Sequence, residues 1–344
     1  YQKQQSELYT AAITEPSVLT NKSIAAPINQ GINDGIPSVN QETNPLSVLL
    51  DDSETFKLST DSLDLVVSAD GGDVVSASLP RFPVRLDTPD QPFRLLENNN
   101  LRRYVAQSGL IGPDGIDASG NRALYASQGV TNNGDGSHTL TLAWTGNDPL
   151  GMQVYKRFTA HDDRYDVDVS FDIRNDGSSV ASVTSFAQLK RDNTQAPDGN
   201  TGFGVSPYLG AALTQPDERY TKLSFSHLKD EPFSKRLPAG WVAILQHYFV
   251  SAWIPSQQTS HDYFASQLSN GDNVIGYKNQ NVDIAPGSAA TITQTLYVGP
   301  KDQVALAELA ENLDLVIDYG WLWWLAQPLF WFCLLYTSPS PRDH

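Results

Sequence analysis

From about residue 55 to 299, apolar side chains recur at every second position rather than every third or fourth. The clearest run is Tyr165, Val167, Val169, Phe171 and Ile173 alternating with Asp166, Asp168, Ser170 and Asp172. That period of two predicts a strand with one face on a core and the other in water. Leu63, Leu65 and Val67 alternate likewise. Asp70-Gly71-Gly72-Asp73 then supplies residues that tolerate positive φ, and Val74 to Leu79 returns as the second arm of a hairpin. Further strands are expected at 138–145, 152–159, 180–190, 220–227, 241–253, 262–268, 273–278 and 290–298, with turns at Asn175-Asp176-Gly177, Asn270-Gly271 and Ala285-Pro286-Gly287. The pattern predicts an all-β protein of antiparallel sheets packed face to face, with no internal repeat of the kind a propeller needs.

Three stretches break the alternation. Gly240 to Pro255 is nearly continuous in apolar residues, which suits a strand buried on both faces or two strands joined by a bend. Pro300 fits a first helical turn, and Ala305, Leu306, Leu309 and Leu313 follow on one helical face. Trp321 to Leu335 holds 15 residues without a charge, including four Trp. A bilayer span takes about 20 residues. Trp and Tyr prefer the headgroup boundary, so this run reads as an interfacial segment in preference to a buried C-terminal helix.

The ends differ from the middle. Residues 1–54 have only Tyr1 and Tyr9 as aromatics and no sustained apolar period, the composition of a disordered polar tether. Asn21-Lys22-Ser23 is a short glycosylation-type triplet that arises easily by chance. The chain starts at Tyr1 and not at Met, which reads as a piece whose upstream part lies elsewhere. Residues 334–344 turn abruptly Ser/Pro-rich and read as a non-native scar, with Cys333 at the seam.

Charge and composition narrow the function classes. The 23 Lys+Arg against 39 Asp+Glu give a formal charge of −16, and the basic residues fall in scattered pairs such as Lys156-Arg157 and Lys190-Arg191. Phosphate binding needs a clustered positive field, so nucleic acid is excluded as a partner. One cysteine makes neither an internal disulfide nor a zinc site. His138, His161, His227, His247, His261 and His344 show no metal-pair spacing, and there is no nucleophile elbow. Asp114 to Asn121 has oxygens for calcium but not the spacing of an EF-hand loop, so it reads as a polar turn. Gly199, Gly202 and Gly204 lack the strand and helix that a phosphate loop requires. No catalytic, cofactor-binding or metal-binding residue is assigned, and the chain is read as a non-enzyme without a cofactor.

Four blocks carry a resemblance. They are Gln107-Ser-Gly-Leu-Ile-Gly112, Gln215-Pro-Asp-Glu-Arg-Tyr220, the Gly240 to Pro255 run, and above all Asp318-Tyr-Gly-Trp-Leu-Trp-Trp-Leu-Ala-Gln-Pro-Leu-Phe330. In order, from about Phe56 to Phe330, the chain resembles the large periplasmic domain of YidC-type membrane protein insertases of Gram-negative bacteria. The resemblance implies a twisted antiparallel β-supersandwich of mutarotase-like shape with a short C-terminal helical segment. It divides the chain into a tether (1–54), the sandwich (55–299), a helical linker (300–317), an amphipathic interfacial helix (318–333) that leads to a membrane region beyond this sequence, and the scar (334–344). The implied membrane-interface residues are Tyr319, Trp321, Trp323, Trp324, Leu325, Pro328, Leu329 and Phe330. Implied partners are the inner-membrane lipid surface, nascent membrane proteins engaged through the membrane core, and the Sec translocon with its SecDF components. The implied role is that of an accessory periplasmic domain of an insertase and chaperone working with or without Sec. A carbohydrate-binding or aldose-epimerase-like sandwich is the competing reading, since a fold alone does not fix function.

Overall fold

The computed structural model describes residues 54–317 apart from 86, 118–120, 147–150 and 195–207. The tether with Asn21-Lys22-Ser23, the three glycines near 200, the aromatic run with all eight interface residues, Cys333 and the scar lie outside the described residues.

The alternating pattern becomes nineteen strands among the described residues. In chain order they are β1 (Thr55–Ser59), β2 (Asp64–Ser68), β3 (Val74–Pro83), β4 (Pro92–Asn98), β5 (Arg103–Ile111), β6 (Tyr125–Asn132), β7 (Ser137–Trp144), β8 (Met152–His161), β9 (Asp166–Asn175) and β10 (Ala181–Arg191). There follow β11 (Gly210–Leu213), β12 (Thr221–Leu223), β13 (Phe233–Pro238), β14 (Val242–Leu245), β15 (Phe249–Ile254), β16 (Ser260–Gln267), β17 (Asn273–Lys278), β18 (Val282–Ile284) and β19 (Ala289–Pro300). One sheet runs β1-β2-β3-β4-β5-β10-β17-β16-β13, with β18 paired to β10, and the other runs β12-β11-β14-β15-β19-β9-β8-β7-β6. Every strand pair is antiparallel.

The main core lies between the sheets. Val167, Val169 and Phe171 of β9 are fully buried, as the alternation requires. Val167 and Val169 share one cluster with Leu65, Ala187, Leu189 and Tyr277 of the facing sheet. Each such aliphatic or aromatic side chain contributes about 1.5–3 kcal/mol. Polar side chains also cross the interior: Trp253 Nε1 donates to the Gln188 carbonyl at 3.1 Å, and the Tyr104 and Ser251 hydroxyls bond to each other.

Gly240 to Pro255 resolves into the β14–β15 hairpin, and both of its faces are covered. Val242, Ile244, Phe249 and Trp253 join the main core. Ala243, Leu245, Val250, Ala252 and Ile254 point the other way, onto a second cluster. Both halves of the sequence reading therefore hold, because a hairpin carries two strands that are each sandwiched between layers.

Two expectations are corrected. Pro300 is not in a helix but ends β19, where it pairs with Phe249. The helix α1 (Gln303–Leu309) starts after Asp302, whose carboxylate accepts from the Val304 and Ala305 amides at 2.9 and 3.2 Å. Asp is among the strongest N-caps, and it sets the start later than a first-turn proline would. The strand expected over 220–227 is only Thr221–Leu223, because the chain turns at Ser224, whose carbonyl accepts from His227 N and whose hydroxyl bonds Ser226. Serine side chains offer the backbone such local alternatives to a ladder.

Candidate functional site

The sequence places its site in the aromatic run, so the described feature that bears on it most directly is the segment leading there. Leu306 and Ala310 at α1, then Leu313 and Val316 of a 3₁₀ turn (Leu313–Val316), form one buried stripe on the outer face of β11, β14, β15 and β19. Spacings of four and three residues keep these side chains on one side. Trp241 Nε1 locks the seat by donating to the Glu311 carbonyl at 3.1 Å. Tyr208, Tyr220, Leu309 and Ile317 are half-buried against the same cluster. The Lys222 ammonium lies 5.0 Å from the Tyr208 ring centre and 5.6 Å from that of Tyr220. Burial pushes the Tyr208 hydroxyl up to about 12, so it stays protonated.

A second feature is a charged cluster inside the sandwich that the sequence reading missed. Asp117, expected in a polar turn, is fully buried and accepts from the Leu110 and Ala123 amides and from Arg122 Nη1. Arg122 Nη2 donates to Asp73 and to the carbonyls of Gly71 and Ser108. From the facing sheet, the fully buried Lys156 Nζ donates to the same two carbonyls at 3.0 and 2.8 Å, between the rings of Phe171 and Phe158. Gln107 then joins Asp73 to Gln188 in a buried amide relay.

Electrostatics separate the two cations. Burial works against charge on Arg122, but Asp73 and Asp117 outweigh it and raise its pKa. Lys156 pairs with no carboxylate in its hydrogen bonds, so burial dominates and lowers it to about 7, with Arg122 adding repulsion and the two aspartates opposing. The Gly71-Gly72 turn is required here. Both glycines have positive φ, and a Cβ at Gly71 would overlap the Arg122 guanidinium while one at Gly72 would lie 2.9 Å from Lys156 Cδ.

A readable signal for this cluster exists in the sequence. Lys156 falls in phase with Met152, Val154, Phe158 and Ala160, all buried. A cation at an inward register position of a two-faced strand is a buried cation, and buried cations need partners from elsewhere in the chain.

A shallow groove of about 550 Å³ opens at one side of the first sheet, lined by Thr184, Arg236, Asp262, Lys278, Asn279 and Asn281 among others. Arg236 and Asp262 face each other at 3.6 Å, both about half exposed, and Asn279 Nδ2 donates to Ser185 Oγ. Among the described residues no three His, Cys, Asp or Glu side chains gather to hold a metal. Of the described histidines, His261 alone is deeply buried; its Nε2 lies 2.8 Å from the Ser256 carbonyl, and burial lowers its pKa.

The family described as the YidC periplasmic domain matches residues 55–332, a stretch that takes in the sandwich, the seated linker and the aromatic run. The chain belongs to this family. Curated relatives named Membrane protein insertase YidC agree: that of Marinomonas sp. (strain MWYL1) is 40% identical over 94% of this chain and 60% of its own length. That of Pseudomonas entomophila (strain L48) is 39% identical over 94% of this chain and 58% of its own. The chain thus spans about 60% of the length of the curated relatives it matches. Among solved structures it is similar to a galactose mutarotase related enzyme from Lactobacillus acidophilus, with 12% identity, a TM-score of 0.47 and coverage of 71% of this chain and 97% of that one. A galactose mutarotase-like protein from Lactobacillus casei gives 9% identity and a TM-score of 0.47, with 71% of this chain and 100% of that one covered.

Proposed function

We propose that this chain is the periplasm-facing portion of a membrane protein insertase and that it serves as an accessory domain, holding an interfacial aromatic segment against the inner membrane. The observation that carries this reading is continuity. The family match runs without a break from the sandwich through residue 332, and α1 with its 3₁₀ turn is packed on the sandwich immediately before the run that begins at Tyr319.

In this reading the work of insertion, lowering the several kcal/mol that each unsatisfied polar group costs in hydrocarbon, belongs to a membrane region outside this sequence. Nascent membrane proteins meet that region, while this domain contacts the Sec translocon and SecDF components. Tyr319, Trp321, Trp323, Trp324, Leu325, Pro328, Leu329 and Phe330 lie along the headgroups, where indole and phenol rings keep their polar ends wet.

The test is partitioning of the 344-residue chain onto phospholipid vesicles, with a variant carrying Trp321→Ser, Trp323→Ser and Trp324→Ser beside it. The wild-type chain co-sediments and the variant largely stays in solution. Equal partitioning of the two would remove the interfacial segment from the proposal.

A further inference from the structure

The two sheets end in four strands, β1 and β13 in the first and β12 and β6 in the second. A sheet edge presents backbone N–H and C=O groups in a row, and proteins guard such rows with short strands, charge, proline or bulges. Three of the four edges carry length, charge or proline guards. β12 has only three residues, Thr221–Leu223. β13 bears Lys235 and Arg236 and ends at Pro238. β1 has five residues with Lys57 at its centre. β6 differs: Tyr125-Ala-Ser-Gln-Gly-Val-Thr-Asn132 runs eight residues with neither a charge nor a proline, and Ser127 to Asn132 are all exposed.

Hydrogen bonds fix which groups of β6 point away from β7. The Thr145 amide donates to the Leu124 carbonyl and the Asn133 amide to the Ser137 carbonyl, so Leu124 and Asn133 face the β7 side. Alternation along the strand then turns Tyr125 and Ser127 outward at one end, and Asn132 and Val130 outward at the other. Tyr125 is already engaged, since its amide donates to the Ala69 carbonyl at 2.9 Å. A bulge between Ser127 and Val130, with Gly129 at φ 96°, sets Ser127 out of step with the rest. It shortens the row without closing it. Val130 and Asn132 present their N–H and C=O groups in strand register, and no hydrogen bond among the described residues engages them.

We infer that β6 is a docking edge, where an extended segment of another polypeptide, neutral or basic in charge, adds as a further strand through Val130 and Asn132. Charge decides the occupant. The β6–β7 hairpin holds Asp135 and no Lys or Arg, so a strand laid along it meets a carboxylate at the turn end and no cation. An acidic segment is disfavoured there, and a second copy of this chain would bring its own formal charge of −16 against the first. Strand addition draws its affinity from main-chain hydrogen bonds, so the partner is defined by an extended backbone and its charge and not by one sequence. Every residue used lies upstream of the linker, so the contact stands or falls independently of the interfacial segment.

The experiment follows amide hydrogen exchange of the 344-residue chain with the acetylated, amidated peptide Lys-Thr-Val-Thr-Val-Lys. Two control peptides carry N-methyl groups on the Thr and Val amides, or Glu in place of both Lys. The Lys peptide slows exchange over 127–133 and leaves the guarded edge at 233–238 unchanged. The N-methylated peptide gives no protection, and the Glu peptide binds several-fold more weakly. Val130→Pro removes one outward N–H and no ladder bond to β7, and it weakens binding of the Lys peptide about fivefold, the effect of one hydrogen bond. The N-methylated peptide gives the same test with the protein unaltered. Unchanged exchange over 127–133 at saturating Lys peptide, or equal protection by the N-methylated form, overturns the inference. Equal binding of the Glu peptide overturns the assigned charge of the partner. Protection of 127–133 that grows with protein concentration alone would assign the edge to a second copy, and that also overturns it.

Discussion

Replacing Lys156 with Met should change how stability depends on pH more than it changes the fold. Lys156 is fully buried, and its amine gives two hydrogen bonds to the carbonyls of Gly71 and Ser108. Arg122 donates to both carbonyls as well, so the substitution leaves each with a partner. A methionine side chain also matches the lysine stem in length and lies well between Phe158 and Phe171. In the folded protein burial lowers the amine from 10.5 to about 7. Below about pH 7 both folded and unfolded chains carry the proton, and above about 10.5 neither does. Between these limits only the unfolded chain holds it, so unfolding takes up a proton and stability rises with pH by at most about 1.4 kcal/mol per unit. Integrated from pH 7 to pH 9, Lys156 alone adds about 2 kcal/mol.

Denaturant unfolding at pH 6, 7, 8 and 9 on both proteins measures this. The Lys156→Met protein has no such proton to bind, so its stability relative to wild type is greatest at pH 6–7 and falls by about 2 kcal/mol toward pH 9. Other groups whose protonation differs between the two states, such as Lys190, whose pKa burial also lowers, cancel in the difference. A gap that stays constant across the series would falsify the assignment of an uncharged amine to the core.

Two further outcomes follow from packing. Gly71→Ala and Gly287→Ala impose the same backbone strain, since φ is +73° and +72°, but only the first crowds a guanidinium, the second having open space around the added Cβ. Each should lower the denaturation midpoint by the equivalent of about 1–2 kcal/mol, and Gly71→Ala by clearly more; equal losses would mean that the Arg122 cluster yields freely. Leu306→Ala removes a fully buried side chain from the linker seat and should cost about 2–5 kcal/mol. Hydrogen exchange should localise the loss to 303–317 with β8 and β9 still protected, and uniform acceleration would show that the linker is part of the global folding unit.

The class of fold was legible because strand alternation needs no long-range information. Val167, Val169, Phe171 and Ile173 declare their face from spacing alone, and the Gly71-Gly72 turn declares its hairpin from the need for positive φ. Strands with weaker alternation were less legible. β6 has one buried residue in eight, so it carries no apolar pattern, and β5 is buried at eight of nine positions, so it carries no alternation. The charged cluster was hidden for a different reason. Asp73, the Asp117–Arg122 pair and Lys156 come from separate segments, and nothing local tells Asp117 from a surface aspartate in a glycine-rich turn. Only the register of Lys156 carried the information, and reading it required treating a cation in an apolar phase as evidence of a partner.

The linker seat joins these two levels. β15 shows Trp253 and Ser251 to the interior, where they bond across to Gln188 and Tyr104 of the first sheet, and shows Val250, Ala252 and Ile254 to the stripe made by Leu306, Ala310, Leu313 and Val316. A helix of seven residues is far below the length that is stable alone in water. α1 therefore exists because the strands beneath it are already fixed by the core on their other face. The position of the linker up to Ile317 is set by the sandwich rather than by the linker's own sequence. That gives the doubly buried β14–β15 hairpin a positional role: it transmits the rigidity of the two-sheet core to the point where the chain enters its aromatic run.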